Sequence, residues 1–335
     1  MDAFTIAFWI VSVATFLLTL LVERKLIPVL ISHKVGQIIL DIGPRWHKHK
    51  EGTPTMGGIG FILPVMLVMA GYFIYTAVVG ISPDFIPLAL TLAFAICNGA
   101  IGFVDDYSKL IKKQNEGLSA KQKLFLQTVI AAAYVTVMAY TGNLSTAVHI
   151  PFTALHLQLG WIWYPIAVLI LVGVVNGANL TDGIDGLAAS IVFVIGGFFA
   201  LWAFSIREEQ LSMIAALLLG ASLGFLVYNF HPAKVFMGDT GSLFFGALVI
   251  GGTFVVGEPL IGLPVAAVFI IEMLSSFLQT GFFKLTKKLT GEGRRIFRMA
   301  PIHHHFEKCG WNEYWIVGVF SLVEVLFCLI AWFAL

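Results

Sequence analysis

Charge is the scarcest commodity in this chain. Asp, Glu, Lys and Arg make up 12% of its 335 residues, against roughly a quarter in soluble domains. With 59% hydrophobic residues, it carries more apolar surface than a water-soluble globule of this size can hide, so its solvent is a bilayer. Cysteine is scarce too. Cys97, Cys309 and Cys328 form no C-x-x-C pair, which excludes a disulfide framework or zinc ribbon and reads as thiols without a chemical role. There is no repeat, low-complexity tract or linker, so residues 1–335 read as a single membrane domain. P-loop and Rossmann fingerprints are absent, and a net charge of +1 gives no sign of a nucleic-acid partner.

What the chain has is apolar runs. A membrane span needs roughly 20 such residues, and ten runs qualify: about 3–22, 56–79, 86–104, 124–140, 161–179, 187–206, 211–229, 242–256, 260–283 and 312–335. The fourth and eighth are short. The first has no cleavage-type stretch after it and reads as a retained span. The fold class is therefore an all-α integral membrane protein of ten transmembrane helices. The segments following the odd-numbered spans hold 19 of the 20 Lys and Arg residues, with Arg207 the exception. The positive-inside rule places those segments in the cytoplasm and both termini outside it.

The polar clusters fall on that same side: "HKHKEGTPTMGG" (47–58), "DDYSK" (105–109), "NLTDGIDG" (179–186), "NFHPAKVFMGDTGS" (229–242) and "APIHHHFEKCG" (300–310). A transporter would carry its polar groups at mid-bilayer on broken helices; their gathering at one surface favours an enzyme with a cytoplasmic substrate and a cytoplasmic cleft. Asp105, Asp106, Asp182, Asp185 and Asp239 all sit at span ends. Any one could be a helix cap, but together they form the oxygen-rich set that suits Mg²⁺ with substrate phosphates. Asp182 and Asp185, three apart, share a face if their turn is helical. "TDGIDG" lacks the spacing and closing Glu of a calcium loop, and "NLT" lies on the wrong side for glycosylation. A helix would fan out His303, His304 and His305, so a three-histidine zinc site is disfavoured; such histidines can instead bind pyrophosphate or move a proton. Lys50, Lys109 and Lys121 flank the polar clusters and suit substrate phosphates. The glycines of "TPTMGGIG" and "MGDTGS" could let backbone N–H groups approach an anion. Glu272 and Glu324 fall within spans, where a lipid-facing carboxylate is expensive; Glu272 is a candidate groove residue, and Glu324 a candidate contact for a second chain or a water pocket.

Taken together, "GTPTMGG", "GFVDDYSK", "NLTDGIDGLA", "FMGDTGSL" and "RMAPIHHHFE" resemble the phospho-N-acetylmuramoyl-pentapeptide transferases, a branch of the polyprenyl-phosphate N-acetylhexosamine-1-phosphate transferase superfamily. The resemblance spans nearly the whole chain. It implies transfer of phospho-N-acetylmuramoyl-pentapeptide from UDP-N-acetylmuramoyl-pentapeptide to undecaprenyl phosphate, with release of UMP, in the bacterial cytoplasmic membrane. It also implies Mg²⁺ as cofactor and a homodimer. Carried onto this chain, it makes Asp239 the metal ligand and Asp105 the residue engaging the lipid phosphate, with Asp106 beside it. Lys50 and Lys121 become substrate-contacting cations, and Phe236 a stacking platform for uracil. Asn179, Asp185 and Gly186 complete the nucleoside site, Asn229 and Gln279 line its wall, and Asp182 and His303 join the substrate-binding set. His304 and His305 join the catalytic set. An N-acetylglucosamine-1-phosphate transferase is the alternative within the same chemistry, and a flippase for lipid-linked sugars the alternative outside it.

Overall fold

A computed structural model describes residues 2–33, 50, 52–80, 84–112, 117–153 and 155–335. Of the first polar cluster, positions 47–49 and 51 lie outside the described residues. Among the described residues, ten helices are long and apolar enough to cross a membrane: α1 (Ala3–Ser32), α2 (Ile59–Val79), α3 (Ile86–Lys112), α4 (Ala120–Tyr140), α5 (Trp163–Thr181), α6 (Leu187–Ile206), α7 (Glu209–Asn229), α8 (Gly238–Val255), α10 (Ala267–Thr290) and α12 (Glu313–Trp332). Two short helices, α9 (Gly262–Val265) and α11 (Ile302–Lys308), fill the gaps before α10 and α12.

The run expected to be weakest, at 242–256, is the centre of the fold. Every residue of α8 from Thr240 to Phe254 is buried, with α3, α5, α6 and α7 packed around it. A helix enclosed by protein need not match a lipid thickness, and its Gly, Ser and Thr content lowers hydropathy while letting neighbours approach closely. The outer helices α1, α2, α4, α10 and α12 present exposed apolar side chains such as Trp9, Leu67, Phe125, Phe277 and Leu322, as lipid-facing surfaces should.

Helix ends differ from the apolar windows because charged residues are good helix formers and do not stop a helix. α1 runs on through Glu23, Arg24 and Lys25, and α3 through Lys109. Asp105, Asp106 and Lys109 therefore ride on a helix rather than in a loop. α4 begins four residues before its apolar run, where Ser119 and Gln122 form a reciprocal capping box. Outside the all-α body, a two-stranded antiparallel hairpin, β1 (Ala147–His149) and β2 (His156–Gln158), joins α4 to α5. Three-residue strands are too short to show alternation in sequence. His149 secures the hairpin, its Nδ1 3.0 Å from Glu258 Oε2 and its Nε2 2.7 Å from the Thr153 carbonyl.

The α3–α8 contact positions the acidic residues. A Cβ at Gly102 would sit 2.2 Å from the Asp239 carbonyl oxygen, so these helices touch backbone to backbone. Leucine at Gly102 should force them apart, at a cost of roughly 1–3 kcal/mol, lowering the thermal midpoint in detergent and abolishing turnover. Leucine at Gly71, where a Cβ meets nothing within 4 Å, should leave both unchanged. A Gly102→Leu protein as stable and active as the Gly71→Leu protein would contradict this packing.

Candidate active site

The adjacent aspartates at the end of α3 meet Asp239 in the first turn of α8. Oxygens of Asp105, Asp106 and Asp239 all lie within 4.8 Å of one another. Asp106 caps α8 from a neighbouring helix: its Oδ2 accepts the Thr240 N–H at 3.0 Å and the Thr240 hydroxyl at 2.8 Å, and its Oδ1 accepts the Asp239 N–H at 3.3 Å. A helix start has unpaired N–H groups and the positive end of the macrodipole, so it favours carboxylates. Asp105 is fully buried and accepts the Leu118 N–H at 2.7 Å. Asn179, at the end of α5, donates to Asp239 Oδ1 and to Ser242 Oγ, each at 2.9 Å.

Two ammonium groups offset these three negative charges. Lys109 Nζ lies 2.5 Å from Asp105, 3.6 Å from Asp239 and 3.7 Å from Asp106. Lys123 Nζ lies 2.5 Å from Asp239 and 3.5 Å from Asp105. Lys121 is exposed on the first turn of α4, two positions before Lys123. The site fits a divalent cation on the chemistry of its donors: three convergent carboxylates form the hard oxygen set such ions take, and the lysine nitrogens stand where positive charge is called for. Asp182, on the turn after α5, adds a fourth acid. Burial, and then the carboxylates of Asp239, Asp106 and Asp185, push its carboxyl well above the usual carboxylate range.

A second cluster forms beside the first. Lys50 Nζ lies 2.6 Å from Asp185 Oδ1 and 2.7 Å from Glu313 at the start of α12. Asp185 Oδ2 also accepts from the Ala233 N–H at 2.9 Å and sits 3.0 Å from His231 Nδ1. Asn229 bridges the surrounding loops, accepting the Gly186 N–H at 3.1 Å and donating to the Val235 carbonyl at 2.9 Å. Phe236, half-buried, is held by its backbone, which donates to the Pro54 carbonyl at 2.8 Å and accepts from Gly57 at 2.9 Å. The glycine-bearing stretches thus do not form the anion cradle expected of them. The N–H groups of Gly57 and Gly58 go to the Phe236 and Met237 carbonyls, and those of Asp239 and Thr240 go to Asp106.

The three histidines occupy α11 and fan out as a helix requires. His303 is fully buried with Nδ1 3.1 Å from Glu272 Oε2, and a Cβ at Gly183 would sit 2.2 Å from its Nε2. His304 Nδ1 lies 2.5 Å from Glu307, and His305 Nδ1 accepts the Arg298 N–H at 3.1 Å. Gln279 points away from the carboxylates, its amide bracing the loop at Ile296 and Phe297 with three 3.0 Å bonds. Both intramembrane acids in question have partners within the chain: Glu272 has His303, and Glu324 Oε2 accepts the Val268 N–H at the start of α10 at 3.0 Å.

The expected residues thus resolve into three adjoining groups. Asp105, Asp106, Asp239 and Asn179 form the acidic group; Lys50, Asp185, Gly186, Asn229 and Phe236 the second; His303, His304, His305 and Gln279 the third, touching the Asp182–Gly183 turn. Glu313 and His231 are additions to that set. Glu313 reads in sequence as the start of an apolar run, where an acid is ordinary helix-start chemistry, and nothing local signals its lysine partner 263 positions away.

A family model for glycosyl transferase family 4 matches residues 87–257, the stretch from α3 through α8. Curated relatives cover almost the whole chain. A phospho-N-acetylmuramoyl-pentapeptide-transferase of Acetivibrio thermocellus is 40% identical over 97% of this chain and 94% of its own length. Proteins of the same name from Shouchella clausii (40% identical, 98% and 97% covered) and Clostridium acetobutylicum (42% identical, 96% and 96% covered) match equally broadly. The chain belongs to the phospho-N-acetylmuramoyl-pentapeptide-transferase family. The glycosyl transferase family 4 match begins at the start of α3 and ends just past α8, so it encloses the whole acidic group.

The raised Asp182 carboxyl has a measurable consequence. It gains its charge at higher pH than an ordinary carboxyl, so affinity for a divalent cation should rise as pH rises through its titration, and binding on the acid side of that titration should release protons. Calorimetric Mn²⁺ titrations in two buffers of different ionisation enthalpy should show this release, and Asp182→Asn should suppress it. Proton-neutral binding whose affinity is unchanged by pH, and the same in Asp182→Asn, would contradict the assignment.

Proposed function

We propose that this chain is a Mg²⁺-dependent transferase of the bacterial cytoplasmic membrane. It moves phospho-N-acetylmuramoyl-pentapeptide from UDP-N-acetylmuramoyl-pentapeptide to undecaprenyl phosphate and releases UMP. The observation that carries this reading is the convergence of Asp105, Asp106 and Asp239 with Lys109 and Lys123 at the ends of membrane helices. There a water-soluble donor and a lipid acceptor can meet. The chain works as one domain over residues 1–335, with both termini outside the cytoplasm and a second copy as partner in a homodimer.

In the reaction, an oxygen of the acceptor phosphate attacks the sugar-linked phosphorus of the donor. A new P–O bond forms, the bond to the bridging oxygen breaks, and UMP leaves with that oxygen and its electron pair. A phosphate monoester has a second pKa near ~6, so the acceptor is largely a dianion near neutral pH and needs no covalent help from the enzyme. It needs positioning and relief from repulsion. Asp105, held by Leu118 and Lys109, aligns the attacking oxygen and accepts any remaining proton. Asp239 would hold Mg²⁺, with the oxygens of Asp105 and Asp106 in reach, and the ion would supply charge neutralisation for the donor pyrophosphate. Lys109 and Lys123, relieved of their carboxylates, turn to the phosphates. Asp106 keeps the start of α8 in place. Phe236 stacks on the uracil, a contact worth about 1–3 kcal/mol. Asp185, Gly186, Asn229 and Lys50 frame the nucleoside, and His304 and His305 stand on the donor side of the cleft.

Purified protein with Mg²⁺, undecaprenyl phosphate and the muramoyl nucleotide should release UMP, and chelation should stop it. Asp239→Asn and Asp105→Asn should each lower turnover by roughly 10²–10³ while the protein stays folded. Equal release from UDP-N-acetylglucosamine would overturn the donor, and lipid translocation without UMP would overturn the reaction class. Turnover within about threefold of the parent for either variant would remove that residue from the chemistry.

A further inference from the structure

Glu313 lies outside every motif that marks the site, on the first turn of a span far along the chain, yet it faces the site's second cluster. Its side chain is one-tenth exposed, that of Lys50 is 7% exposed and that of Asp185 is 2% exposed. One carboxylate makes two kinds of contact: it holds the Lys50 ammonium at 2.7 Å and accepts the backbone N–H of Asp185 at 3.0 Å. Next to it, Tyr314 donates to the His231 carbonyl at 2.9 Å, and the His231 ring stands edge-on to the Tyr314 ring at 5.1 Å. The start of α12 therefore ties together three segments that no local structure connects: Lys50, the 182–186 turn and the 230–236 loop.

Burying a lysine between two carboxylates is not an efficient way to stabilise a fold. Apolar packing of similar volume usually does as well or better. The arrangement does fix one ammonium to a single position. It also dictates the charge there. Two carboxylates around one ammonium leave a local negative excess, which repels a phosphate and accepts the uncharged end of a nucleotide. The counter-charges for phosphate are Lys109 and Lys123, at the acidic group. An ammonium has three donors, and Asp185 and Glu313 engage two of them.

We infer that Glu313 is a positioning residue for the donor nucleotide: it fixes the Lys50 ammonium and the Asp185 backbone, so that Lys50 offers its third N–H to a carbonyl or hydroxyl of the nucleoside. This rests on the placement of the nucleoside beside Lys50 and Phe236 proposed above. Glu313 touches neither the phosphates nor the reacting atoms, so its loss weakens binding of the nucleotide and leaves the chemical step intact.

Glu313→Gln keeps the size of the side chain and an acceptor for the Asp185 N–H but removes the charge that holds Lys50. We expect the KM for the muramoyl nucleotide to rise roughly tenfold, the scale of one charged hydrogen bond, with kcat within about threefold of the parent. The dissociation constant of UDP, measured by calorimetry without lipid acceptor, should rise in parallel. Glu313→Asp, with its charge kept but its reach shortened, should fall between the two. In the Lys50→Gln background, Glu313→Gln should add no further rise in either constant, because the contact it supports is already gone. A fall in kcat at unchanged KM overturns the inference, as do constants within twofold of the parent, or effects of the two substitutions that add in full. Glu313→Asp supplies the same comparison if Glu313→Gln does not fold. Because UDP binding needs no turnover, a parent that binds UDP but releases no UMP would count against the proposed reaction and leave the role of Glu313 testable.

Discussion

Three carboxylates within reach of one another repel, and here the start of one helix makes their company tolerable. α8 begins beneath them with unpaired N–H groups and the positive end of its dipole. Asp106 reaches across from α3 to take the N–H groups of Asp239 and Thr240. An N-cap of this kind is usually supplied by the residue preceding the helix and is worth about 1 kcal/mol. Supplied by another helix, it also sets the register between the two. That register in turn depends on Gly102, which lets α3 lie directly against the Asp239 carbonyl. The acidic group, the α3–α8 contact and the burial of α8 are thus one arrangement. Moving any of the three moves the others.

The same device recurs at two of the acids that the chain places inside membrane helices. Glu324 of α12 takes the Val268 N–H at the start of α10, and Glu272 of α10 meets His303. A carboxylate facing lipid is costly; placed against a helix start or an imidazole it fixes a backbone or a ring instead. Glu272, expected as a groove residue, and Glu324, expected to meet a second chain or a water pocket, are therefore both internal braces. The Glu272–His303 pair presses His303 against the backbone at Gly183, which couples the histidine helix to the turn bearing Asp182 and Asp185.

Much of this was legible from sequence, for identifiable reasons. Hydropathy counts spans well because lipid tolerates so few alternatives, and the ten apolar runs meet ten candidate spans among the described residues. The clustering of Asp105, Asp182, Asp185, Asp239 and the histidines was legible because each lies in a gap between apolar runs. What escaped was anything set by contact between distant segments. The pairing of Lys123 with Asp239 depends on where the Ser119 cap starts α4, which a hydropathy window cannot register. Glu313 lies at the beginning of an apolar run, where nothing local marks its contact with Lys50. The glycines of "TPTMGG" resemble an anion cradle in sequence, but their N–H groups pair with the 236–237 backbone. Short strands such as 147–149 have no period to detect.

The central claim is that Lys109 and Lys123 hold the place of a divalent cation among three carboxylates and give way when one binds. Competition of this kind has an unusual signature, because removing a positive charge should tighten metal binding while harming catalysis. The direct measurement is a Mn²⁺ titration followed by electron paramagnetic resonance, comparing the parent with Lys123→Met in the same detergent. The account predicts one bound ion per chain and a severalfold higher affinity in Lys123→Met, together with a large loss of UMP release. Equal or weaker Mn²⁺ binding in Lys123→Met, with the protein folded, would contradict it.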